Sequence, residues 1–130
     1  MYLLDTNTLI YFFKGFGNVA SRLLSEPHQH IGIPAVVLFE LETGIAKSQS
    51  PARRREQLEQ LVSQVNVPPF GIREARHAAR IRAMLETAGT PIGPYDILIA
   101  ATAIANKGIL VTHNVKEFRR IRELSIEDWY

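Results

Sequence analysis

A chain of 130 residues with 46% hydrophobic and 22% charged residues fits one globular domain around a single core, and excludes disordered, collagenous and coiled-coil classes. It contains no cysteine, which removes disulfide frameworks, thiolate metal sites and cysteine nucleophiles together. The formal net charge is only +2, but residues 51–82 hold seven arginines against three glutamates, a locally basic stretch suited to a polyanion.

The chain begins with a short apolar run, Tyr2-Leu3-Leu4, that stops at Asp5. Thr6 and Asn7 are then capping types ahead of Leu9, Ile10, Phe12 and Phe13, so strand, turn and helix follow in order. No basic leader precedes the apolar residues, and the longest near-apolar stretch, Ile97–Ala105, is far short of a membrane span. The expectation is one cytoplasmic domain over residues 1–130 with no membrane association. Val19–Leu24 reads as amphipathic, His30–Ile33 as a short strand, and Pro34 opens a helix through Lys47.

After the polar break at Ser48–Pro51, Ala52–Gln64 is predicted as a helix and Val65–Val67 as a short strand. Ile72–Ala88 is predicted as a helix with Ile72, Ala75, Ala79 and Ala83 inward and Arg73, Arg76 and Arg80 sharing another face. Tyr95–Asn106 is nearly all apolar and must be buried on most sides, with Asp96 its only charge. Gly108 is assigned to end that helix, Ile109–Val111 to a buried strand, and the residues around Lys116–Arg120 to a short helix. Strands alternating with helices predict an α/β fold whose short, mostly parallel sheet is flanked by helices.

In such sheets ligands bind beyond the carboxyl ends of the strands. Asp5 ends the first strand, Asp96 opens the apolar helix, and Glu40 lies in AVVLFELETG among Val36, Val37, Leu38, Phe39 and Leu41. Grouped carboxylates in apolar surroundings call for a cation. Oxygen donors without a His or Cys cluster suit Mg²⁺ or Mn²⁺, and that chemistry is phosphodiester cleavage.

A plainer role stands beside each residue. Asp5 also suits a helix N-cap, Asp96 complements a helix dipole, and Asn114 with Glu117 has the spacing of a capping box. Glu42 reads as a surface charge. His28, His30, His77 and His113 share no metal-ligand spacing and read as surface residues or as supports behind the ligands of a site, and Tyr11, Phe12 and Phe13 as core or partner contacts. A phosphoacceptor domain would also end its first strand in Asp, but Asp5-Thr6-Asn7 lacks the paired second acid.

Five motifs in order, LLDTN at 3–7, FELETG at 39–44, PIGPYDILIAA at 91–101, VTHNVKEFRRI at 111–121 and EDW at 127–129, resemble PIN-domain ribonucleases of the VapC toxin type along the whole chain. The resemblance implies a PIN-like fold with Asp5, Glu40 and Asp96 as metal-binding acids for Mg²⁺ or Mn²⁺. The family's fourth Asp is replaced here by Asn114, and Glu117, a helical turn later, stands in as the substitute carboxylate. Thr112 and Asn114 would orient water or a phosphate oxygen, and Arg73, Arg76 and Arg80, with the Arg53–Arg55 cluster, would hold the RNA backbone.

The resemblance further implies a homodimer, a VapB-type antitoxin inserting into the active-site groove to form a hetero-oligomer, and operator DNA reached only through that antitoxin. The substrate implied is tRNA, with the anticodon stem-loop of initiator tRNA as the leading choice. A catalytically inactive module that binds RNA or antitoxin is the alternative.

Overall fold

A computed structural model describes all 130 residues. The elements are β1 (Tyr2–Leu4), α1 (Thr6–Lys14), α2 (Val19–Ser25), β2 (Ile31–Gly32), α3 (Ala35–Lys47), α4 (Ala52–Val62), α5 (Ile72–Thr87), α6 (Pro94–Ala105), β3 (Ile109–Val111), α7 (Val115–Phe118) and β4 (Ser125–Glu127). The four strands form one wholly parallel sheet in the order β2-β1-β3-β4, with Leu3 beside Gly32 on one side and Leu110 on the other. Helices cover it, as the alternation of elements predicts.

Leu3, Leu4, Leu110 and Val111 are fully buried in the two central strands, because a parallel sheet covered on both faces leaves no solvent side. The apolar helix α6 is the central pillar: Ile97, Ile99 to Ala103 and Ala105 are all buried. Pro94 stands at its first turn, where a missing N–H costs nothing.

Several expectations need correction. The residues 65–67 make no strand; they contribute one bridge, Gly32 to Asn66, and Ala35 N–H bonds Pro68 C=O as the chain leaves β2. The sequence reading has no strand at Ser125–Glu127, where β4 pairs with β3 and carries the buried Trp129 just beyond it.

On α5 the inward face is Glu74, Ala78, Ile81 and Leu85, while Ile72 is 72% exposed and Ala75, Ala79 and Ala83 are exposed as well. Alanine marks a helix face weakly, and Glu74 is buried because its carboxylate reaches back to the Gly71 N–H at 2.8 Å. Gly108 does not end α6 by a left-handed turn; Lys107 takes that conformation, φ 51°. Gly108 is instead required by close approach, since a Cβ there would collide with the Leu3 side chain and lie 2.8 Å from the Met1 carbonyl.

Candidate active site at the carboxyl end of the sheet

The strand ends bring the predicted acids to one cleft. Asp5 follows β1, its N–H bonded to Val111 C=O of the neighbouring β3 at 3.1 Å, and it is 5% exposed. One carboxylate oxygen accepts from Thr8 N–H at 2.9 Å, so Asp5 is the N-cap of α1 as well as a cleft residue. Burial raises its pKa most; hydrogen bonds from Thr112 and Thr8 pull against this, and the charge of Asp128 adds to the rise.

Glu40 is half-buried on α3 and accepts the Thr6 hydroxyl at 2.6 Å. The apolar surround read from the sequence is thinner than expected, because Phe39 is 52% exposed and only Val37, Leu41 and Ile45 of the helix are buried. Glu42 points elsewhere and pairs with Arg55 at 3.2 Å.

Asp96 sits in the first turn of α6. Its pKa is pushed up to about 6, first by burial and then by the charges of Glu117, Asp5 and Glu40. Asp96 thus faces the other three carboxylates across one cleft.

Asn114 and Glu117 do not form the capping box. Asn114 makes no side-chain cap, and its amide donates to Glu117 Oε2 at 2.9 Å. Glu117 Oε1 crosses to the Gly93 N–H at 3.2 Å, just before α6. These bonds, Asn114 first, hold the Glu117 pKa below the ordinary carboxylate value against the opposing effect of burial. Thr112 is fully buried after β3, and its hydroxyl accepts the Asn114 N–H at 3.0 Å.

None of Asp5, Glu40, Asp96 or Glu117 is ion-paired with Lys or Arg. No three of them converge tightly enough to close a ligand cage by themselves. An open set of hard oxygen donors with repelling charges fits a cation such as Mg²⁺, which keeps several waters and takes only one or two carboxylates directly.

The cationic side chains fall into several separate groups. On α5, Arg73 lies 3.5 Å from Glu74, and Arg80 bonds Glu123 at 3.0 Å and His77 at 2.9 Å; Arg73, Arg76 and Arg80 form no contact with the cleft acids. Two other sets of guanidinium groups border the cleft: Arg120, which bonds Pro91 C=O at 3.0 Å and whose charge acts on Glu117, and the arginines of α4. A groove of about 530 Å³ is lined by Glu40, Arg53, Arg54 and Lys14 over Ile10, Phe13 and Leu41. Arg54 lies 4.7 Å above the Phe13 ring. On the other side, Lys116, Arg119 and Arg122 are exposed around α7 and make no salt bridge.

Asp128, near the cleft, escaped the sequence reading, which named His113 as a surface residue or a support behind a site's ligands. His113, next to Thr112, bonds Asp128 at 2.9 Å, and Asp128 acts electrostatically on Asp5 from 123 positions away along the chain. The only signal was the terminal EDW, whose acid gives no local hint of its destination.

No helix is long and apolar enough to cross a membrane. A PIN domain family model matches residues 2–124. The chain is 36% identical to the tRNA(fMet)-specific endonuclease VapC of Salmonella typhimurium over 98% of this chain and 97% of that one. It is 34% identical to Ribonuclease VapC2 of Rickettsia felis over 99% and 98% of the two. In solved structures it resembles the toxin-sized chain of VapBC2 from Rickettsia felis bound to a promoter DNA fragment, with a TM-score of 0.92 over 99% of this chain and 98% of that chain at 34% identity. DNA-bound VapBC from Salmonella typhimurium gives a TM-score of 0.92 at 36% identity, again over 99% and 98%. The chain thus belongs to the PIN domain family, in the group that contains these VapC proteins.

Proposed function

We propose that this chain is a VapC-type toxin, a Mg²⁺- or Mn²⁺-dependent endoribonuclease that hydrolyses RNA phosphodiester bonds. The observation that carries the reading is a group of four acids in one cleft, none of them in a salt bridge, with Asp96 pushed up to about 6 by burial and by the charges of the other three. A module that only bound RNA would gain nothing from such a group, since each unpaired acid costs stability and repels phosphate.

Asp5, Glu40 and Asp96 are the residues that would hold the cation, and Glu117 supplies the fourth carboxylate in place of the family's Asp. When bound, the cation supplies Lewis acidity at the scissile phosphate. Thr6 fixes Glu40 by its hydroxyl, Thr8 fixes Asp5, and Asn114 with Gly93 N–H fixes Glu117, so the acids are orientated before substrate arrives. Lys116, Arg119 and Arg122 on one flank and Arg53 with Arg54 on the other hold the RNA backbone. Arg53, Arg54 and Arg55 occupy the first turn of α4, where the helix dipole opposes cations and an incoming phosphate relieves them.

tRNA is the substrate we favour, with the anticodon stem-loop of initiator tRNA first, because the Salmonella relative is named a tRNA(fMet)-specific endonuclease. The VapBC structures support a protein held in check by a VapB-type antitoxin, and a tRNA substrate would place it in the cytoplasm. An apolar groove between α5 and α6, with Ala75, Ala79, Tyr95 and Leu98 in its lining, supports a homodimer.

The deciding experiment incubates antitoxin-free protein with bulk tRNA in Mg²⁺ or Mn²⁺ and in EDTA, beside Asp96→Asn. Discrete fragments that need both the cation and Asp96 are expected. Cleavage that persists in EDTA would overturn metal dependence, and intact RNA with folded protein would overturn the nuclease.

A further inference from the structure

His113 and Tyr130 are stacked ring on ring, with centroids 4.3 Å apart and planes 23° from parallel. Tyr11 meets both edge-on, at 5.9 Å and 5.0 Å. Phe16 extends the group through Tyr11 at 6.4 Å. The group is not core. Trp129 is 3% exposed, whereas Tyr130 is 44% and Phe16 48% exposed, and the His113 side chain is 46% exposed. Rings that served only to close the fold would be covered as Trp129 is.

The stack is held rigid from behind. Asp128 Oδ2 bonds His113 Nδ1 at 2.9 Å, and the Tyr130 carbonyl accepts from the Asn18 N–H at 2.7 Å and its side-chain amide at 3.2 Å. Preorganised flat rings lose little freedom when a third ring is laid on them. They also lie beside the chemistry: Leu4 pairs with Val111 and the Asp5 N–H bonds Val111 C=O at 3.1 Å, so His113, two residues past Val111, leaves β3 at the strand end where Asp5 leaves β1.

The local charge decides what the platform receives. Asp128 and the cleft acids disfavour a phosphate at this spot, while the face of an unpaired base carries no charge and stacks on any aromatic ring. We propose that His113 and Tyr130 form a nucleobase subsite at the edge of the cleft, in which one unpaired base next to the scissile phosphate extends their stack. This rests on the ribonuclease reading and adds to it the means by which a looped strand is gripped through a base.

The test is steady-state cleavage of the RNA cut by the wild type, as a short stem-loop spanning the cut, by wild type, His113→Ala and His113→Phe of equal thermal midpoint. Stacking predicts that His113→Ala raises KM about tenfold at nearly constant kcat and that His113→Phe restores it. A scan of single abasic nucleotides with the wild-type protein, which needs no variant to fold, predicts one position beside the cut with the same loss and no further loss in His113→Ala. An unchanged KM in His113→Ala, failure of His113→Phe to rescue, or a scan without such a position overturns the subsite. Unchanged RNA kinetics with weakened antitoxin binding would assign the rings to the protein partner and also overturn it. If the wild type cuts no RNA, the ribonuclease reading itself fails; if wild type and His113→Ala cut alike, this inference alone does.

Discussion

Asp96 is pushed up by burial and by three neighbouring carboxylates, and the effect on stability can be followed through pH. Its carboxyl titrates at about 6 in the fold against 3.8 for a free side chain, so folding favours the protonated form. The stability it contributes is therefore complete below about pH 4 and is lost as pH rises through about 6. Thermal unfolding of cation-free protein should show Asp96→Asn more stable than wild type at pH 7.5, with the gap closing near pH 4. Added Mg²⁺ should reverse the order at pH 7.5, since it stabilises the wild type by binding the ionised acids, and its effect should fade below pH 6. Asp5 differs because its side chain also caps α1. Asp5→Asn and Asp5→Ala should both abolish cleavage, but Asp5→Asn keeps the acceptor and should be more stable by about 1 kcal/mol in urea unfolding. A lineage that discards the chemistry would keep a short acceptor at position 5 while positions 40 and 96 drift.

At the scale of elements, α7 and the first turn of α4 should dominate RNA binding. Replacing Lys116, Arg119 and Arg122 by Gln should flatten the dependence of RNA affinity on salt by roughly 0.7 in slope per lost phosphate contact on a single strand, measured by titration at several salt concentrations. Replacing Arg73, Arg76 and Arg80 should leave that slope nearly unchanged, because Arg73 and Arg80 already have acidic neighbours on their own surface. The α5 arginines show what sequence spacing does and does not carry. The spacing of Arg73, Arg76 and Arg80 correctly gives a shared helix face, but which structure that face meets is decided by the packing of α5 on α6. Elements with a strong local signal were read closely: β1, stopped at Asp5; α3, opened after Pro34; and α6, apolar on every side. The strand β4 has no such signal, since Ser125 and Glu127 flank a single Ile126, and only its parallel pairing with β3 makes it a strand. The acids Asp5, Glu40 and Asp96 stood out because each was locally out of place. The reach of Glu117 to Gly93 and of Asp128 towards Asp5 depends on long-range closure that no spacing records.

At the scale of the molecule, residues past the family match at 2–124 are part of the fold. Trp129 packs in the core against Tyr2, with ring centroids 5.0 Å apart, and its indole N–H donates to Glu127 at 3.0 Å. Trp129→Ala should cost about 3–5 kcal/mol in chemical denaturation, a large share of the roughly 5–15 kcal/mol that holds a domain together. The order β2-β1-β3-β4 has one more consequence, and it concerns time. The first strand made is the central one, and its partner β3 begins only at Ile109. A chain emerging from the ribosome can bond β1 to β2 early, but it cannot set Asp5 beside the end of β3 until residues 109–112 have been made. The cleft therefore cannot assemble piecemeal as its acids are made: Asp5, Glu40 and Asp96 wait for the pairing of β1 with β3.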